Sequence, residues 1–203
     1  MDHQVNTPQN SEVMDSTLLA ALIAAMATAA GWMVNSALAS RTELRRRRAE
    51  ARLTHVEQQL EQLYGPLLFL VKEGRSAWQD FCDTLGRSTV FLNGRPLSEE
   101  EKALWLFWVD HEFMPRNETI QSLLSSKTHL IAGDQMPDSF MAFIEHHNAW
   151  RVTHLRWKKD EVPYSWHSKV NWPMKFETDV IESYERLKNL QIQMAGLVRG
   201  LET

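Results

Sequence analysis

Phe140, Phe143, His147, Trp150, His154 and Trp157 recur at alternating steps of three and four residues, the spacing of one helix face. Imidazole is the commonest metal ligand and the side chain best suited to move protons near neutral pH, so His147 and His154 raise two chemistries, ligation and proton transfer. Seven residues separate their Cα atoms by about 10.5 Å along a helix. One ion held about 2 Å from each ring nitrogen would need both side chains to reach inward. Packing offers another explanation, in which each ring is buried on aromatic neighbours and bonded to a carbonyl or carboxylate. A third is a partner-binding face that also responds to pH. The candidate pocket or partner face comprises His147, Trp150, His154 and Trp157, extended by Trp166 and Trp172 from the segment that follows.

Other constellations are weaker. Asp110-His111-Glu112 and Glu145-His146-His147 place acids beside imidazoles, but no His-Glu-x-x-His occurs and no acid precedes a histidine by three residues. They read as solvated helix termini. Cys82 sits beside Phe81 inside a helical pattern, where a thiol is more often a small hydrophobe than a nucleophile. Nucleophile elbow, phosphate-binding loop and dinucleotide fingerprint are all missing. The expectation is therefore no catalytic residue, no metal and no cofactor. Trp157 to Pro173 carries three Trp, a Tyr and three Lys. That segment is either an aromatic lid on the domain or a set of anchors for a partner or a membrane interface, where Lys158, Lys159 and Lys169 would meet anionic headgroups.

The charge distribution says where these residues sit. The net charge of -4 over 203 residues divides into -3 for residues 1–16, zero for 17–40, +4 for 41–52 and -5 for 53–203. Thr17 to Ala39 contains nine Ala and nine Leu, Ile, Val, Met or Trp. As a helix it measures about 34 Å, enough to cross a hydrocarbon core of about 30 Å. A cleaved signal peptide competes, since Ala37-Leu38-Ala39 resembles a processing site. Its preceding region would have to be basic rather than acidic, and its apolar run shorter. The arginines that follow the span hold that end in the cytoplasm, with 1–16 as a short outer tail. Arg45, Arg46, Arg47 and Arg48 then act as a stop-transfer signal and a contact for anionic lipid. Nucleic-acid binding is not expected, because 53–203 is acidic. Within the span Ala20, Ala24, Ala27 and Gly31 form a small-residue face suited to helix packing.

Beyond the arginines, Leu53, Val56, Leu60, Leu63 and Leu67 form a coiled-coil-like seam, so residues 40–64 read as a basic juxtamembrane segment and stalk. Gly65-Pro66 predicts a kink or break. The pattern resumes through Leu85 and stops at Gly86. Residues 87–97 read as a loop with a short extended piece at Val90–Leu92. Ser98 and Glu101 form a capping box for a helix that Pro115 should end, and Asn117 should cap the next. A turn-like 127–135 leads to a helix from Asp138 or Ser139 to about Lys159. The last helix covers about 173–201, packing back on the stalk, with Val180, Tyr184, Leu187, Met194, Val198 and Leu201 on one stripe.

The fold expectation is all-α: one N-terminal transmembrane helix, a stalk, and a cytoplasmic helical bundle over 65–203. A lone cysteine fits a reducing compartment. The leading functional expectation is a non-enzymatic, single-pass protein of the inner membrane that binds protein partners or self-associates, an accessory subunit. A membrane-tethered enzyme or sensor with a His/Trp-lined pocket and an oligomeric membrane effector are the alternatives.

Overall fold

The computed structural model describes residues 9–87, 97–160, 162–164 and 170–200. The expected outer tail up to residue 8, Val90–Leu92, Trp166, Lys169 and Leu201 lie outside the described residues. Among the described residues every regular element is a helix and none is a strand. Helix α1 runs over Gln9–Gln59, α2 over Gly65–Leu85, α3 over Glu99–Trp108, α4 over Met114–Ser126, α5 over Asp138–Asp160 and α6 over Met174–Gly200. Two compact units divide it: Met1–Ala51 with Leu197–Thr203, and Arg52–Gly196.

In the first unit, α1 carries an apolar stretch long enough to cross a membrane, none of it buried by the chain. Leu18, Ile23, Trp32 and Leu38 each keep more than half of their surface exposed. Leu18 to Leu38 thus carries apolar side chains that the chain itself does not cover. Thr28 donates its hydroxyl to the Ala24 carbonyl at 2.8 Å, four residues back, which satisfies this group without water. After the apolar stretch come intrahelical ion pairs, Arg47 with Glu43 at 2.7 Å and Arg46 with Glu50 at 2.8 Å.

The second unit has two cores. In the first, Val56, Leu60, Leu63 and Leu67, the inner part of the leucine seam, bury together with Phe140 and Phe143 of α5 and Phe176, Val180 and Leu187 of α6. Full burial of each such side chain stabilises by roughly 1.5–3 kcal/mol. The second core gathers Phe81, Trp105, Val109 and Phe113. Trp105 meets Phe81 at 5.3 Å and Trp150 of α5 at 5.4 Å between ring centroids. Cys82 lies in this core, buried, with its thiol pushed up by desolvation and by Asp83.

Of the two prolines flanking helix junctions, Pro115 departs from the sequence expectation. At Gly65-Pro66 a π-helical turn, Leu60–Tyr64, joins α1 to α2, and the Gly65 N–H reaches the Leu60 carbonyl five residues back. At Met114-Pro115 a second π-turn, Val109–Phe113, joins α3 to α4, with the Met114 N–H on the Val109 carbonyl. Pro115 therefore does not end a helix. Each wide turn restarts the hydrogen-bond ladder, so that the proline falls in a first turn, where its missing donor costs little. Asn117, expected as a cap, is instead inside α4 and buried.

Other boundaries follow from local chemistry. Ser98 accepts from the Glu101 N–H at 3.1 Å and the Glu101 carboxylate accepts from the Ser98 N–H at 2.7 Å, the reciprocal box that starts α3. Gly86, at φ 62°, ends α2 in the left-handed conformation that glycine tolerates without strain.

Candidate functional site

Helix α5 positions the histidines, and its two halves serve different cores. His147 is fully buried, its ring parallel to Phe143 at 6.3 Å and 6°. Phe143 in turn stacks on Phe176 of α6 at 4.6 Å. Neither ring nitrogen of His147 has a hydrogen-bond partner. Burial holds this imidazole below its ordinary range, with Arg151 and His146 acting the same way and Glu118 opposing.

Two turns along, His154 is buried beside the second core. Its Nε2 lies 2.6 Å from Asp110 Oδ1, and Lys158 Nζ donates to the same oxygen at 2.5 Å. A carboxylate accepts, so Nε2 carries the proton. His154 Nδ1 is buried without a partner. Trp157 and Tyr164 cover the ring, at 5.4 and 5.8 Å between centroids. Partial burial raises the Asp110 carboxyl, but the hydrogen bonds and charges of Lys158 and His154 outweigh it and hold the group below the usual carboxylate range. Tyr164 is pushed up to about 12 by burial, against a hydrogen bond with Trp105.

His147 and His154 therefore do not share one pocket. Trp150 lies between their surroundings, 5.8 Å from His146 and 5.4 Å from Trp105. Trp172 packs edge-on to Phe143 and His146, and Trp157 belongs with His154. No group of three His, Cys, Asp or Glu among the described residues is placed to hold a metal ion.

Sequence reasoning missed three participants. Asp110 belongs to the second π-turn, not a solvated helix end, and the turn carries its carboxylate toward α5. His146, one residue off the seam, is buried and donates Nδ1–H to the Val170 carbonyl at 2.6 Å. Tyr64, in the Leu-Tyr-Gly-Pro-Leu segment, is buried and accepts the Ala132 N–H at 3.0 Å. A carboxylate 44 residues from its histidine leaves no local signal. The pair Asp110 and Lys158 also lacks helical spacing.

Removing the shared acceptor tests the arrangement. Asp110→Ala strands the buried His154 Nε2–H and should cost about 1–3 kcal/mol in chemical denaturation. Lys158→Met removes a half-exposed partner and should cost less than about 1 kcal/mol. Because the Asp110 carboxyl is held low, its contribution is present above the ordinary value of 3.8 and is lost as pH falls below it.

The chain was compared with protein-family models, curated proteins and solved structures, and none matches it.

Proposed function

We propose that this chain is a single-pass protein of the inner (cell) membrane, N-terminus outside, whose cytoplasmic helical domain is a non-enzymatic interaction or accessory subunit. One observation carries the reading: the apolar stretch of α1 from Leu18 onward is uncovered on all sides and followed at once by arginines. A lipid bilayer is a surrounding that suits such a helix. Exposed Arg45, Arg47 and Arg48, with half-buried Arg46, sit where anionic headgroups would meet them, each worth on the order of 1 kcal/mol. The positive-inside rule then directs 53–203 to the cytoplasm.

The aromatic seam supports interaction over catalysis because His147 and His154 lie under packed rings rather than in a cleft. Protein partners or further copies of the chain are the expected ligands, with no nucleic acid. The His154–Asp110–Lys158 constellation favours a second reading, a membrane-tethered sensor, since an imidazole oriented by a carboxylate is a proton-handling device. The exposed Ala20, Ala24, Ala27 and Gly31 face is the feature behind the oligomeric reading.

Fractionation with protease protection tests the proposal. Full-length chain should resist alkaline carbonate extraction, and a C-terminal tag should be digested only after the membrane is permeabilised. Recovery in the carbonate supernatant, or digestion of the C-terminal tag in intact cells, would overturn it.

A further inference from the structure

We propose that α5 is an acid-released latch: taking up a proton at His147 expels its ring from the first core and frees the N-terminal half of α5, independently of any membrane reading. The geometry is that of a ring with no place for a charge. His147 is completely buried, one face lies along Phe143, and both nitrogens are without acceptors. A neutral imidazole in that position forgoes one donor and one acceptor bond. An imidazolium would bring two N–H donors and a full charge into the same apolar surroundings, where neither is compensated.

The charges that reach the ring do not supply compensation. Glu118 of α4 favours the proton but is itself exposed, while Arg151 and His146, both on α5, oppose it. His146 reinforces the latch. It too is buried, and its Nδ1–H ties α5 to the Val170 carbonyl, just ahead of α6. Burial holds His146 low, with its bonds to Val170 and Asn171 acting the other way. Both imidazoles are thus below their ordinary value of 6.5 in the folded chain and near it in the released one. As pH falls below 6.5 the released form binds more protons, so the latch weakens with acid and is whole above that pH. Each such histidine changes the closing constant up to about tenfold per pH unit. His154 lies elsewhere, beside the second core with Trp157 and Tyr164, and takes no part in the latch.

The experiment uses the purified full chain, in mild detergent and again without it, with hydrogen exchange of the 138–150 segment followed from pH 7.5 to 5.0 and corrected for intrinsic exchange. The wild type should lose protection there below about pH 6.5, before α2 and α3 do. His147→Phe, which can keep the stack on Phe143, and His147→Gln, which cannot titrate, should each reduce the pH dependence by about tenfold per pH unit. That slope is read whatever the variant's baseline stability. Substituting the exposed His129 by Gln should leave it unchanged. Protection in the wild type that persists unchanged to pH 5.0, or a wild-type slope retained in both His147 variants, would overturn the proposal.

Discussion

Gly65→Ala should destabilise the Arg52–Gly196 unit by about 3 kcal/mol or more, measured as the shift in denaturation midpoint. A Cβ at position 65 would stand 2.6 Å from the Leu60 carbonyl oxygen, closer than real Cβ contacts come. The obstructing atom is backbone and is already bonded to the Gly65 N–H, so no rotamer change relieves the clash. Moving it means unwinding the π-turn that sets Leu60, Leu63 and Tyr64 into the first core. Other glycines provide the scale. At Gly74 a Cβ would meet only the Arg116 side chain, at 3.3 Å, which can shift within its ion pairs to Glu112 and Glu73. At Gly31 it would meet nothing within 4 Å, so Gly31→Ala should favour the helix by about 0.8–1 kcal/mol. A neutral Gly65→Ala would remove the π-turn as the reason for glycine there.

The second large effect concerns the apolar stretch. Met26→Arg combined with Ala30→Arg places two charges near the middle of Thr17 to Ala39, at a cost of about 2.5–3.5 kcal/mol each on insertion scales. Nine of the 23 residues are alanine, so the apolar gain is modest and the two penalties should exceed it. On the single-pass reading proposed above, membrane retention should be lost, with the chain appearing in the carbonate-extractable fraction. Retention equal to wild type would mean that another part of the chain does the anchoring.

Where local chemistry decided the structure, the sequence was readable. The long uncharged run, the Ser98–Glu101 box and the stop at Gly86 depend on residues within a few positions of each other. The prolines were misread at Pro115, because the rule that proline breaks a helix assumes an i to i−4 ladder. A wide turn ahead of the proline evades that assumption, and no periodicity in 109–113 announces it. The seam on α5 was visible, but the division of its histidines between two cores was not. That division depends on Asp110, Phe176 and Val170, which the chain brings in from 24 to 44 residues away.

The two wide turns carry a consequence for descent. Each amounts to one additional residue that the wider turn absorbs, whereas on an unbroken α-helix the same residue would rotate everything after it by about 100° about the helix axis. A cousin without either widening should differ by a single-residue deletion in mid-helix, around 60–64 or 109–113, rather than in a connecting loop. Superposing such a pair without that gap would bring solvent-facing positions of one opposite interior positions of the other.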